Sequence, residues 1–187
     1  MSEPQQKPGK SKQDYRTPPE FLEAVARQFG AIDIDLACRT DNMVAPLGIA
    51  HNKELDALAQ DWADPMYWNR DANVIESGGL IRVAFCNPPF GNIRPWAEKV
   101  AGCRWLPRWT LLLVPASMGS LWWADHVLGK AMAYGVPRMA FCGDDGSAGD
   151  LYPKDLALIA AGYGVVGNGY WDWRKLVGAV PVATEAA

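Results

Sequence analysis

Histidine and cysteine are scarce in this chain, and neither is clustered. There are two histidines and four cysteines, and Cys38, Cys86, Cys103 and Cys142 stand apart without a C-x-x-C pair. Zinc patterns need such pairs at short spacing, so no metal site is expected, and isolated buried thiols in a reducing compartment fit better. No apolar run approaches the ~20 residues of a membrane-spanning helix, and the polar, basic opening is unlike a secretory leader. A cytoplasmic protein that meets no membrane is the expectation. Positive charge is not in excess either, the net charge being −3. A nucleic-acid partner would have to be met by cations gathered on one face, with Arg16, Arg94, Lys99, Arg104 and Arg108 as candidates. A G-x-G-x-x-G turn is missing after the first strand, which disfavours a dinucleotide held by its pyrophosphate.

What is present is globular. Of 187 residues, 49% are hydrophobic and 21% charged, enough for one sizeable core. Residues 1–13 carry lysines but no apolar pattern and are expected to be a disordered basic tail. A single domain is expected over residues 14–175, followed by a frayed tail at 176–187. Strands and helices alternate, which predicts an α/β fold with a mainly parallel sheet and helices on both faces.

The chain turns on Val83-Ala84-Phe85-Cys86-Asn87-Pro88-Pro89-Phe90. Four apolar residues suit a buried strand. Two prolines stop it, because neither has an amide hydrogen for the ladder. The outcome is a stiff turn at a strand's carboxyl end, where ligands bind in open α/β sheets. It displays one amide side chain, backbone carbonyls without competing donors, and one aromatic ring. Those groups suit an adenine amine, whose lone pair is delocalised into the ring. Acceptors on both of its hydrogens, from the Asn87 side chain and the Pro88 carbonyl, would draw the nitrogen toward tetrahedral geometry. Pro89 would hold the spacing and Phe90 would stack on the base. This is positioning and electrostatics rather than covalent catalysis. A plain proline-rich turn explains the same four residues.

Other segments fall around this one. Thr17-Pro18-Pro19-Glu20 reads as a helix start, with Thr17 as cap and Glu20 completing a capping box. Phe21, Leu22, Val25 and Phe29 mark the apolar face, and Gly30 ends the helix. Ala31 to Cys38 reads as the first strand, ending in the acid Asp35 and small residues. Asn42 to His51 reads as an irregular loop. Asp61 and Trp62 could bond and stack an adenine moiety, although core packing explains Trp62 equally well. A helix is expected from about Pro95 to Cys103, a strand over Thr110–Val114, a helix over Leu121–Ala133 and a strand over Pro137–Cys142. Gly143 to Asp150 reads as a mobile acidic loop, and Leu156–Ala160 with Gly164–Gly167 as a final strand pair.

With these landmarks in order, the chain resembles the phage-type DNA N6-adenine methyltransferases, a compact group of S-adenosylmethionine-dependent enzymes. The likeness runs from Tyr15 to about Ile159. Arg16-Thr17-Pro18-Pro19-Glu20-Phe21 is similar to their opening threonine-proline motif. Asp33-Ile34-Asp35-Leu36-Ala37-Cys38 resembles their first strand, although Leu36 replaces the usual proline. Asp56-Ala57-Leu58 with Asp61-Trp62 resembles their acidic-tryptophan segment, and Asn87-Pro88-Pro89-Phe90 their catalytic motif. The resemblance implies a Rossmann-like methyltransferase fold with a C-terminal hairpin, and catalysis by Asn87, Pro88, Pro89 and Phe90. It further implies S-adenosyl-L-methionine held by Tyr15, Thr17, Pro18, Asp35, Ala37, Asp61, Trp62 and Asn87, and double-stranded DNA as substrate. In such a phage-type enzyme the setting is a bacterial host's cytoplasm, and the role is protection from restriction or host mimicry. RNA adenine and protein glutamine methylation share the tetrapeptide and stay open. An inactive cofactor- or nucleic-acid-binding module also stays open, because no glycine pair follows Ala37. A cytosine C5 enzyme is disfavoured, since Cys86 precedes the motif and should point into the core. Sequence preference would have to come from insertions such as Ala63–Gly79 or Gly143–Pro153.

Overall fold

Three apolar runs form the centre of the sheet. In a computed structural model describing residues 16–38, 43–50, 56–62, 82–103, 108–143, 146–162 and 164–177, they are β3 (Val83–Cys86), β4 (Trp109–Pro115) and β8 (Leu156–Ala161). Every residue of β3 and β8 is buried, as expected of strands covered on both faces. Around them lie β1 (Ile34–Cys38), β2 (Leu47–Ala50), β5 (Met132–Val136) and β9 (Gly167–Tyr170). The seven-stranded order is β2-β1-β3-β4-β8-β5-β9. Four of its neighbouring pairs are parallel, and β8 alone runs against both of its neighbours. This is the Rossmann-like α/β arrangement expected.

Helices cover both faces. Helix α1 (Pro19–Phe29) buries Phe21, Ala24 and Val25 against Val83, Phe85, Leu111 and Leu113. Helix α2 (Arg94–Cys103) sets Trp96, Ala97 and Val100 against Ala84, Cys86, Leu112 and Val114 on the other face. Helix α3 (Leu121–His126) adds Trp123 there. Alternation along β3 and β4 sends successive side chains to opposite faces, so one short strand serves two cores. Gly30 ends α1 at φ 110°, where its N–H still bonds the Ala26 carbonyl.

Several expected boundaries move. The helix read as Leu121–Ala133 stops at His126, because Gly129 takes φ 68° within the turn that follows and Met132 begins β5. Asn42–His51 contains β2, hidden in the sequence by Gly48 and Pro46. The antiparallel hairpin near the end is β5 with β8, joined through a smaller hairpin of β6 (Ala140–Cys142) and β7 (Ala148–Leu151). The last two strands, β8 and β9, are not partners; β5 lies between them. The stretch read as a mobile acidic loop is thus partly the β7 strand. A G-x-G-x-x-G run does occur at residues 162–167, yet it leads into β9 rather than a helix and lacks the phosphate-binding context. Past the expected end of the fold at 175, Leu176 packs on the α1-side core and Val177 is buried in it. The tail and insertion readings at 1–13, 63–79 and 178–187 lie outside the described residues.

Candidate active site

Asn87 leaves β3 at the carboxyl edge of the sheet, between two strands parallel to it. Across 70 residues of sequence, its Nδ2 donates to Thr17 Oγ1 at 3.0 Å. Thr17 is buried, and it stands two residues before α1. The expected capping role of Thr17 is therefore corrected. The cap falls on Pro18, which has no side-chain oxygen to offer the helix, and the Thr17 hydroxyl faces Asn87 instead. Pro18 still starts the helix through its carbonyl, which accepts from Phe21 N at 3.0 Å.

Asp35 sits one strand away. It does not end β1, as read from the sequence, but is its second residue, level with Phe85. Its side chain is buried, and its bonds come from Ala37 N at 3.2 Å and Val44 N at 3.3 Å. Among the described residues both of its partners are neutral, and both bonds are long. Burial lifts its pKa from 3.8 to about 6, against the smaller opposing pull of those two amides. The neighbouring acid Asp33 does structural work at the opposite edge, its Oδ2 accepting from Arg82 N and Val83 N at 2.7 and 2.9 Å.

Phe90 joins an aromatic group that the sequence did not reveal. Its ring meets Phe141 of β6 at 5.8 Å and Tyr152, just after β7, at 5.5 Å, both edge-on. Phe141 and Tyr152 meet each other at 5.6 Å. The backbone of Arg16 exchanges two hydrogen bonds with Cys142 on the same hairpin, at 3.1 and 3.0 Å. The threonine-proline segment, the Asn87 turn and the β6–β7 hairpin are thereby tied together. Gly149 lets the hairpin close: a Cβ there would stand 2.6 Å from the Phe141 carbonyl oxygen. Gly149→Ala is expected to destabilise the fold by about 1–3 kcal/mol, the scale of a forced backbone shift, and chemical denaturation would measure it. An unchanged midpoint would mean that β7 is free to move off β6.

Other expected site residues are placed elsewhere. Trp62 is a packing residue, its Nε1 donating to the Ala57 carbonyl at 2.8 Å and its ring centroid 6.0 Å from that of Trp96. Asp61 opens onto a separate cleft of about 390 Å3 lined also by Pro95, Glu98 and Lys99; Thr17, Asp35 and Asn87 do not line it. Lys99 is turned inward, its amine on the Gln60 carbonyl and beside the Trp62 ring. Arg94 pairs with Asp125 at 3.1 Å. Arg108 precedes Trp109, which is registered with Val83, so it lies at the amino edge of the sheet. Four residues of strand, roughly 13 Å, separate that edge from Asn87. Lys99 and Arg108 thus lie apart from the Asn87 turn: one has its amine on the Gln60 carbonyl, and the other starts from the amino edge of the sheet. Tyr15 and Arg104 lie outside the described residues.

Burial disfavours the thiolate form of three cysteines. Burial pushes Cys86 well above its ordinary range, and lifts Cys38 to about 11 and Cys103 to about 12. Cys86 points into the core beneath the turn, as expected, and offers no thiolate for attack on a cytosine ring.

A family model described as DNA N-6-adenine-methyltransferase (Dam) matches residues 5–141. The chain belongs to the Dam family. No curated protein matches it. The Dam match takes in Thr17, Asp35, the Asn87–Phe90 turn and Phe141. Tyr152, β8 and β9 follow it, so the third ring of the aromatic group comes from beyond the matched region. Membership makes DNA adenine the family's substrate and N6 methylation its reaction. Among the described residues, no helix is long and apolar enough to cross a membrane.

Proposed function

We propose that this chain methylates the N6 amine of adenine in double-stranded DNA, using S-adenosyl-L-methionine in a bacterial cytoplasm. One observation carries the reading: the Asn87 turn stands at the sheet's carboxyl edge, with a buried carboxylate whose bonds are both to neutral amides two residues down the adjoining strand. A buried acid that meets only neutral amides among the described residues fits a cationic amino group as a ligand. Asp35 would take that group, with Ala37, Pro18 and Thr17 as further cofactor contacts. Bound there, S-adenosylmethionine supplies a methyl group activated by positive sulfur.

The remaining work falls to the chain's own residues. The target base has to leave the duplex, where its amine is paired and stacked. Asn87 Oδ1 and the Pro88 carbonyl then accept its two amine hydrogens and localise the nitrogen lone pair. Pro88 is suited to this because it brings no amide hydrogen to compete. Phe90, braced by Phe141 and Tyr152, offers the stacking surface, and Pro89 keeps the turn rigid.

The test is labelled methyl transfer offered in parallel to unmethylated DNA, RNA and a protein extract. Label recovered as N6-methyladenine in DNA is the expected result; label in RNA or on glutamine would replace the substrate. Calorimetry showing no cofactor binding, with or without DNA, would leave only a binding module. Salt gives an independent check. With a net charge of −3, contacts have to come from a few local cations, and log affinity should fall with log salt at a slope of only ~1–3 in magnitude. A salt-independent affinity would argue against a phosphate backbone altogether.

A further inference from the structure

We propose that Met118 enters the duplex at the target step and fills the place in the base stack that the extruded adenine leaves. The proposal rests on the function proposed above and adds a contact that works on the double helix rather than on the reacting amine. Met118 stands in the loop at 116–120, between β4 and α3. Strand β4 lies parallel beside β3, with Leu112 level with Cys86, and runs on three residues to Pro115. The loop therefore rises roughly 10 Å past the last paired level of the strand that leads into Asn87, one strand spacing to its side. DNA that delivers a base to the Asn87 turn comes up against this tip. No acid occurs between residues 115 and 121, so nothing in the tip repels a polyanion. Ser117, Gly119 and Ser120 are small, which leaves Met118 as the long side chain of the loop, and it is 62% exposed. Leu121, the first residue of α3, is 74% exposed and extends the apolar tip. The backbone beneath is held: Ala116 N donates to the Asp155 carbonyl at 2.9 Å, Ser117 N to the Pro115 carbonyl at 2.8 Å, and Ser120 Oγ to the Ser117 carbonyl at 2.7 Å. A firm support matters, because a wedge that yields would let the base return. Extrusion breaks the stacking on both faces of the adenine and opens an apolar slot. An unbranched, polarisable methionine adapts to such a slot, and apolar side chains inserted between base steps hold them open.

Labelled methyl transfer and DNA binding by the whole protein test this, on a duplex carrying an adenine that the parent methylates. Met118→Ala should lower kcat/KM on that duplex about tenfold or more, the scale of one large apolar side chain left unburied. Met118→Leu should keep most of the activity. Leu128→Ala removes a side chain of similar exposure, 61%, from the turn that leads into β5 at the opposite edge of the sheet, and should change nothing. Binding separates a wedge from a general contact. In a duplex made abasic at the target nucleotide the vacancy is present from the start, so the parent should bind it more tightly than the intact duplex. Met118→Ala should lose affinity for the abasic duplex by about tenfold, again the scale of burying that side chain. Its affinity for an unrelated duplex, set by phosphate contacts, should stay within about threefold of the parent's. Three results overturn the proposal. They are full activity per folded Met118→Ala molecule, an equal loss of affinity for every duplex, and a loss that follows a change in oligomeric state, which would make the tip a contact between two copies. The failures are separable. A parent that methylates no DNA removes the function proposed above and the wedge with it, whereas an active parent with an equally active Met118→Ala removes the wedge alone.

Discussion

Asn87→Ala lowers turnover by at least about a hundredfold, with cofactor affinity nearly unchanged: this is the result expected if the amide acts on the reacting amine. The scale is that of losing one preorganised polar group at a reacting centre. The bonds it makes strengthen as nitrogen changes geometry, so its removal is felt in the transition state more than in the ground state. Phe90→Ala should behave differently. Stacking, at about 1–3 kcal/mol per base, is present before and during reaction, so its loss appears mainly in the Michaelis constant for DNA. Phe90→Tyr should retain much activity, provided the ring still meets Phe141 and Tyr152. If the turn is only a turn, both alanine variants lose stability and leave turnover per folded molecule untouched. Rates normalised to folded protein decide between the two.

The second large effect concerns Asp35 and runs in opposite directions for folding and binding. Its pKa is raised in the folded state, to about 6 from 3.8. The protonated form therefore favours the fold. Its contribution is fully present below about pH 4 and is lost as pH rises through 6, on the order of 3 kcal/mol in all. Asp35→Asn should accordingly melt higher than the parent at pH 7.5 in the absence of ligand. The gain will be partial, because the Asn amide has one oxygen for the two backbone donors of Ala37 and Val44. Near pH 4 the difference should vanish. Cofactor affinity should fall in the same variant by about 1.5–3 kcal/mol, the range for a hydrogen bond to a charged group. Binding to the parent should also weaken about tenfold per pH unit below 6, since the carboxyl must first give up its proton. Thermal shift with and without S-adenosylmethionine across pH 4–8 reads all of this. An Asp35→Asn protein that melts lower at pH 7.5 and binds normally would assign the acid a structural role.

The central strands were legible because burial on both faces leaves unbroken apolar runs, as in Val83–Cys86 and Leu156–Ala161. Strands β2 and β5 were not, and β9 was placed three residues early, for a physical reason: Gly48, Gly135, Gly167 and Gly169 give them little intrinsic strand preference, and the sheet imposes the conformation. Gly129 likewise sits in what reads as a continuous helical pattern, and nothing local says that it will take a left-handed conformation. At the site, the Asn87 turn and the nearness of Thr17 could be anticipated from short motifs. The bond between them could not, because a threonine before Pro-Pro-Glu looks like a cap. Phe141 and Tyr152 were hidden because their meeting with Phe90 depends on a hairpin folding back over the edge. The cations misled for a related reason: charge can be counted along a chain, but whether Lys99 is occupied by a carbonyl and a ring is decided only in three dimensions.

The late arrival of β8 has a consequence for how the protein is made. It runs against both neighbours and is the seam between the four strands β2-β1-β3-β4 and the pair β5-β9. A nascent chain that has delivered everything through Cys142 still lacks residues 156–161. Until they emerge, the inner row of donors and acceptors on β4 has no partner, and Leu111–Val114 lie along an open apolar edge. Such an edge is a template for pairing with another chain. A product halted at residue 141, where the Dam match ends, would carry the threonine, the acid and the Asn87 turn together with that unprotected edge. Completion of the last quarter of synthesis is what turns that adhesive central edge into a paired one.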